Sequence, residues 1–98
     1  MKAHEFFSQG DCWCQEHFAI DANNKPISDE SDPSICKRCI VGGINFCYPD
    51  LDEAYEAQKR VYDVLYNKHK CTDLLIQWND KPGRAREEVV ALLREADV

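Results

Sequence analysis

The sequence lacks any long apolar run. None of its 98 residues falls in a window that approaches a membrane span, and the first eight, M-K-A-H-E-F-F-S, contain no apolar stretch of signal-peptide length. Glycine and proline are scarce, at four residues each, which argues against long disordered tracts. We therefore expect one globular domain over residues 1–98, in the cytoplasm and with no membrane partner.

Positive charge is also in deficit. The chain has 18 acidic and 12 basic residues, for a net charge of −6. A negative field repels phosphate, so the composition predicts no nucleic-acid binding. A glycine-rich phosphate loop is missing as well, because Gly42-Gly43 has neither the spacing nor the preceding strand that such a loop needs.

Cysteine, by contrast, is abundant, with six residues. In a reducing compartment the options for them are metal ligation, reactivity or burial. Cys12-x-Cys14 and Cys36-x-x-Cys39 together supply four thiolates, the number that zinc takes in many structural sites. The spacing is therefore consistent with a zinc-knuckle α+β domain, with zinc as the one possible cofactor. The alternative is that Cys14 and Cys39 pack in a core while Cys12 and Cys36 are incidental.

Two thiol and imidazole pairs, Cys14 with His17 and His69 with Cys71, raise the possibility of thiol catalysis. Such pairs arise readily by chance, and nothing near them resembles an oxyanion hole or a protease signature. We predict no catalytic residues, and we keep a thiol enzyme as a third hypothesis.

Apolar spacing and capping signals predict a mainly α fold of the α+β class, with four to five helices and one small β-hairpin. Asn23 and Asn24 suit the turn of the hairpin, and Asp50 suits the N-cap of the longest helix. Thr72–Trp78 is too short to assign to helix or strand. The predicted elements are a helix at 2–9, the hairpin at 18–27, and helices at 33–47, 50–69 and 85–96.

The segment from Ile35 to Cys47 decides between the two folds. Its apolar positions surround a helix on all sides, as in a central buried helix, and Asp32 followed by Pro33 is a helix-start signal. These features favour a helix over a metal knuckle. Gly42-Gly43 is costly inside a helix, so the pair predicts the close approach of a neighbour, most simply the 50–69 helix.

Two groups of side chains are candidates for a contact surface. Lys81, Arg84 and Arg86 cluster before the last helix, where the helix dipole disfavours cations, so they form a possible contact patch or a solvated loop. Tyr55, Tyr62 and Tyr66, with Trp13 and Trp78, could line a binding surface, although such rings more often pack in a core. Glu56 and Arg60 have the spacing of an ion pair on one helix.

Several short motifs occur in a fixed order along the chain: W-C-Q at 13–15, F-A-x-D-A-N at 18–23, K-P-I at 25–27, R-C-x-x-G at 38–42, W-N-D-x-P-G-R at 78–84 and E-E-V-V-A-L-L at 87–93. In this respect the chain resembles a small uncharacterised family of bacterial and phage proteins. The pattern of that family runs W-C-Q-G, A-x-D-A-x-G-x-P-V, R-W-C-x-x-G-A and W-N-D-x-P-G-R-T-x-x-E-V-x-A-L-L.

The resemblance implies a fold that does not depend on metal, because only Cys14 and Cys39 match the pattern. It also implies that Arg38–Gly42 lies in a helix packed by a small residue at Gly43, where the family usually has alanine. Ala85 stands where threonine is usual, so the last helix loses an expected cap. We predict that Asp80 caps that helix instead.

The resemblance carries no activity. Together with the acidity and the lack of a catalytic constellation, it leads us to expect a small cytoplasmic accessory protein of bacterial or phage origin. Such a protein would act by binding a host or cellular protein. The alternative is a zinc-binding regulatory module that uses Cys12, Cys14, Cys36 and Cys39.

Overall fold

The computed structural model describes all 98 residues and contains five helices and a small sheet. The predicted mainly helical α+β class is confirmed. None of the helices combines the length and apolar character that crossing a bilayer requires. In chain order the elements are α1 (Ala3–Ser8), β1 (Ala19–Ile20), β2 (Pro26–Ile27), β3 (Lys37–Arg38), α2 (Ile40–Cys47), α3 (Leu51–Lys68), α4 (Leu75–Asn79) and α5 (Arg86–Glu95).

The sheet has the order β2-β1-β3, and both pairings are antiparallel. The predicted hairpin is its β1–β2 half. The Asp21 carboxylate accepts hydrogen bonds from the main-chain N–H groups of Asn23 and Lys25, and Asn24 has a φ of 63°. An aspartate that closes the turn and an asparagine that tolerates positive φ together explain why the chain reverses there.

The helix predicted at 33–47 begins later, at Ile40, so the start signal at Asp32 was misread. The Asp32 carboxylate accepts hydrogen bonds from the N–H and hydroxyl of Ser34, which makes a local turn. Residues 37 and 38 then form β3, because β1 offers hydrogen-bond partners to their main-chain groups. A helix at these residues would leave those groups of β1 without partners. The implied placement of Arg38 in a helix is therefore also wrong.

The N-cap of α2 is Cys39, whose sulfur accepts a hydrogen bond from the N–H of Gly42 at 3.4 Å. The helix then runs through the middle of the protein and contacts α1, α3 and α4. Ile40 and Ile44 are fully buried there. The central position predicted for this helix is confirmed.

The glycine pair of α2 lies against close neighbours, as predicted, but the neighbours are not α3. A Cβ at Gly43 would lie 2.3 Å from the ring of Phe7 in α1. A Cβ at Gly42 would lie 2.9 Å from the main-chain oxygen of Phe18, just before β1. The pair therefore admits a buried ring on one side and a strand on the other.

The long helix α3 starts as predicted, because the Asp50 carboxylate accepts the N–H groups of Asp52 and Glu53. The expected ion pair between Glu56 and Arg60 does not form. The Arg60 guanidinium instead donates to the carbonyl oxygens of Ala96 and Asp97, after α5.

The segment left open at 72–78 is helical from Leu75 onward. The last helix begins at Arg86, and the Glu88 carboxylate accepts the N–H of Ala85 at 2.8 Å. Asp80 does not cap that helix, so this prediction was wrong. Its carboxylate accepts the main-chain N–H of Glu16 instead.

Candidate functional site

Asn79, the last residue of α4, is the only buried polar residue of the chain and is fully enclosed. Its side-chain oxygen accepts hydrogen bonds from the Trp13 indole N–H at 2.6 Å and the Ile40 N–H at 2.9 Å. Its amide nitrogen donates to the Cys14 carbonyl at 3.1 Å and to the Asp80 carboxylate at 2.9 Å. A carboxamide has two acceptor positions and two donor hydrogens, so this side chain is fully satisfied.

Neighbouring residues extend the same network. The Gln15 amide nitrogen donates to the carbonyl oxygens of Asn79 and Lys81, both at 2.9 Å. Arg38 joins through its main chain, which accepts from Cys14 N–H and donates to the Cys12 carbonyl. We call the set the Asn79 joint; it comprises Trp13–Gln15, Arg38–Ile40 and Trp78–Asp80.

The joint brings together three of the motifs that carry the family resemblance, W-C-Q, R-C-x-x-G and W-N-D. Every buried side-chain nitrogen and oxygen in the structure has a partner. The joint therefore offers no unsatisfied polar side chain to a ligand. Its chemistry is that of a clamp that holds the N-terminal segment, the start of α2 and the end of α4 together.

The two buried thiols at the joint are poorly suited to nucleophilic chemistry. Burial, together with the neighbouring Cys39, raises the pKa of the Cys14 thiol to about 12. Burial also raises the pKa of Cys39. The Cys14 sulfur lies 3.5 Å from the main-chain oxygen of His17, so the thiol meets that residue at its backbone rather than at its ring. A nucleophile needs the thiolate, which these surroundings disfavour.

The second pair, His69 and Cys71, lines a cleft of about 410 Å³ at the end of α3. The imidazole Nε2 lies 3.1 Å from the Glu95 carboxylate. The main-chain N–H of Cys71 bonds the Leu65 carbonyl, after Lys70 has taken a φ of 53°. This is the geometry of a helix C-cap, so Cys71 helps to terminate α3.

The four cysteines of the possible zinc site do not share one environment, although Cys14 and Cys39 are neighbours. Cys14 and Cys39 are buried, the Cys12 thiol donates to the Phe6 carbonyl at 3.3 Å, and Cys36 is exposed. All six cysteines are free, and no three His, Cys, Asp or Glu side chains lie where they could hold a metal ion together. The structure does not assemble the four-cysteine site.

The three basic residues Lys81, Arg84 and Arg86 also have different environments. The Arg84 guanidinium lies 3.9 Å from the centre of the Trp78 ring and donates to the Trp78 carbonyl. Arg86 donates to the carbonyl oxygens of Phe7 and Gly10, which closes the end of α1. Lys81 is exposed. The two arginines therefore use their donors inside the protein.

A groove of about 470 Å³ lies where α3 meets α4. Tyr55, Leu74 and Ile76 form its rim and are 67%, 63% and 53% exposed. Leu75 is buried, while Val41 and Tyr62 are half-buried. The remaining lining residues are Gln58 and Lys59.

The groove follows from how α3 and α4 share their apolar residues between the core and the surface. In α3 the line Ala54, Ala57, Val61 and Leu65 faces inward. An adjacent face of the same helix carries Leu51, Tyr55, Tyr62 and Tyr66, and of these only Tyr62 is less than half exposed. In α4, Leu75 and Trp78 are buried, whereas Ile76 and the preceding residue Leu74 are exposed. The second apolar face therefore has no covering element.

Sequence reasoning identified part of this surface. The tyrosines Tyr55, Tyr62 and Tyr66 were candidates for a binding face, and Tyr55 and Tyr62 line the groove. Trp13 and Trp78, proposed with them, belong to the joint. Leu74 and Ile76 were missed, because 72–78 could not be assigned. If this segment had been assigned to a helix with Leu75 and Trp78 in the core, the neighbouring residues Leu74 and Ile76 would have been expected on the surface.

Comparison with known proteins gives a family. The model of a family described as "Family of unknown function (DUF6197)" matches residues 2–97. This agrees with the uncharacterised family expected from the ordered motifs. No curated protein and no solved structure matches the chain.

Proposed function

The chain therefore belongs to this family of unknown function, and we propose that it is a protein-interaction protein that binds another protein through the α3–α4 groove. The observation that supports the proposal is the exposure of Tyr55, Leu74 and Ile76 around one concave surface. Scattered exposed apolar residues are ordinary on a protein surface. A contiguous set around a groove marks an interaction site.

The groove has the features of a protein interface. Aromatic and aliphatic side chains form the rim, and single polar groups, Gln58 and Lys59, lie among them. Covering such a surface removes apolar area from water, at about 25 cal/mol per Å². Tyrosine is enriched among the few residues that carry most of the affinity of an interface.

The same composition supports binding rather than catalysis. The lining contains no carboxylate, imidazole or thiol, the groups that most often transfer protons or attack a substrate. In keeping with the acidity and the family resemblance, the partner is a host or cellular protein of the bacterial cytoplasm, and not nucleic acid.

The proposal is tested by quantitative affinity purification with matched variants. Leu74→Ser together with Ile76→Ser removes apolar rim area without adding charge, and serine suits the start of α4. Phe46→Ser is the control, because Phe46 is a large exposed apolar side chain that does not line the groove. Circular dichroism establishes that all variants are folded.

We expect a stoichiometric protein partner with the unmodified chain and the control, and its loss with the double variant. Recovery that is equal for the double variant and the unmodified chain would refute the proposal. Enrichment of nucleic acid in place of protein would also refute it.

A further inference from the structure

Beside the exposed apolar face of α3 lies a line of exposed acidic residues, Asp52, Glu56 and Asp63, which we call the acidic edge. Successive residues of a helix are about 100° apart, so relative to Leu51 these three lie at about 100°, 140° and 120° around α3. The exposed apolar face of α3 occupies the adjacent sector, between about 0° and 60°. The acidic edge therefore borders the apolar face along most of the helix.

These carboxylates are exposed and have no ion-pair partner. The expected partner of Glu56, Arg60, is turned away to the carbonyl oxygens that follow α5. Lys59 lies on the groove side, at about 80°, and makes no ion pair either. The side of α3 next to its exposed apolar face thus has three unpaired negative charges and one positive charge.

We infer that the occupant of the groove is an amphipathic helix of a partner protein, with an apolar face and a flank rich in lysine or arginine. This inference rests on the proposed function. The apolar face would pack against Tyr55, Leu74 and Ile76, and the basic flank would lie along the acidic edge. Laying an amphipathic helix into an apolar groove is a common mode of peptide recognition.

The dimensions fit this occupant. Leu51 and Tyr66, the ends of the exposed face, are 15 positions apart, which is about 22 Å at 1.5 Å per residue. A partner helix of about four turns spans that distance. Basic residues on its flank would meet the edge with complementary charge, which raises the association rate and fixes the orientation of the helix.

A second copy of this chain is a poorer occupant. A two-fold dimer places the same patch of both subunits against each other. The acidic edge of one copy would then lie near that of the other, and each copy has a net charge of −6. Like charges across an interface are unfavourable, so the surface selects a basic partner.

The probes for the experiment are two synthetic 18-residue amphipathic peptides. One is built from leucine and lysine, and the other has the same pattern with glutamate in place of lysine. Binding is measured by fluorescence anisotropy. We expect the lysine peptide to bind at least about tenfold more tightly than the glutamate peptide, with an affinity that falls as salt rises.

A neutralised variant separates a specific edge from general attraction to an acidic protein. The test variant is Asp52→Asn with Glu56→Gln and Asp63→Asn. The control has the same charge change at exposed residues outside the acidic edge, Glu16→Gln with Glu53→Gln and Glu87→Gln. We expect the test variant to weaken binding of the lysine peptide by about tenfold or more, and the control to weaken it by about twofold or less.

Each contrary result is distinguishable from failure of the proposed function. Equal binding of the two peptides, or an equal loss in the two charge variants, refutes the basic occupant while the groove remains a binding surface. A dimer seen by sedimentation equilibrium and abolished by Leu74→Ser with Ile76→Ser also refutes it, in favour of a second copy. If that double variant changes neither peptide binding nor partner recovery, the proposed function itself fails.

Discussion

The Asn79 joint and the α3–α4 groove distribute polar and apolar groups in opposite ways. The joint buries a carboxamide and satisfies all four of its hydrogen-bonding positions. The groove leaves Tyr55, Leu74 and Ile76 in water. Burying a polar group is tolerated when every bond is made, and it then specifies one arrangement of the chain. An exposed apolar groove has no such internal benefit, which supports the proposal that it binds a partner outside the chain.

The comparison also separates the recognisable residues from the proposed functional ones. The motifs W-C-Q, R-C-x-x-G and W-N-D meet at the joint, whereas Leu74 and Ile76 lie outside every motif. The motifs on which the resemblance rests can therefore report how the fold is held together and carry little about the proposed binding surface. The predictions below test whether the two regions are as different as the structure indicates.

The largest effect is expected for Asn79→Ala. The substitution leaves the Trp13 indole N–H and the Ile40 N–H buried without their acceptor, and each unsatisfied group costs about 1–3 kcal/mol. We expect the free energy of unfolding to fall by roughly 3–5 kcal/mol, measured by urea denaturation. Asn23→Ala, in the exposed hairpin turn, is the matched control and should change stability by less than about 0.5 kcal/mol. Similar losses at the two positions would mean that the joint is not a clamp.

Next in size is Gly42→Ala, at the border of the joint. The new Cβ would lie 2.9 Å from the Phe18 carbonyl oxygen, which is already bonded to the Cys39 N–H. Because that neighbour is backbone, it cannot move aside at little cost, and we expect a loss of about 1–3 kcal/mol in thermal or urea unfolding. Gly10→Ala has open space within 4 Å and should be nearly neutral. A stable Gly42→Ala protein would contradict the close approach.

Alkaline pH should weaken the joint through its buried thiol. Cys14 has its pKa raised to about 12, whereas an unfolded cysteine titrates near 8.5. The folded state therefore keeps a proton that the unfolded state has lost, and stability falls as pH rises between those two values. From pH 9 to 10 the expected loss is about 1 kcal/mol. Urea unfolding of Cys14→Ala provides the comparison, and a decline as steep as that of the unmodified chain would show that the thiol is not the cause.

A substitution in the groove should raise the free energy of unfolding, whereas the changes at the joint lower it. Leu74 precedes α4 in an extended conformation, with no side-chain hydrogen bond to the helix. In Leu74→Asp, the new carboxylate can cap α4 and an exposed apolar side chain is removed, so we expect a gain of about 0.5–1 kcal/mol in urea unfolding. Partner binding should be weakened in the same protein. A loss of stability would mean that Leu74 belongs to the core.

The smallest effect is expected from a chelator. Because Cys39 caps α2 and the Cys12 thiol bonds a carbonyl, these cysteines have structural partners within the protein. Treatment with a strong chelator should leave the helical circular dichroism and the melting temperature unchanged. Elemental analysis of reduced protein provides the second measurement. One zinc per chain, with loss of helix on chelation, would revive the zinc module.

Sequence reasoning predicted the elements whose signals are local. The N-cap at Asp50 and the hairpin turn follow from neighbouring residues, and both were found. It failed where a distant partner decides. Asp32-Pro33 looks like a helix start, but β1 supplies hydrogen-bond partners for the residues that follow. Asp80 likewise bonds Glu16, a residue 64 positions away.

The sequence alone determined the class of the fold, the acidic charge and the two helices with clear apolar periodicity, α3 and α5. These features depend on composition and on spacing within one segment. Only the tertiary structure decided that α2 begins at Ile40, that Phe7 fills the space beside Gly43, and that Asn79 joins three separated motifs. It also decided that Leu74 and Ile76 face out beside Tyr55. Burial and hydrogen-bond satisfaction are properties of residues brought together across the chain, and no local pattern specifies which residues meet.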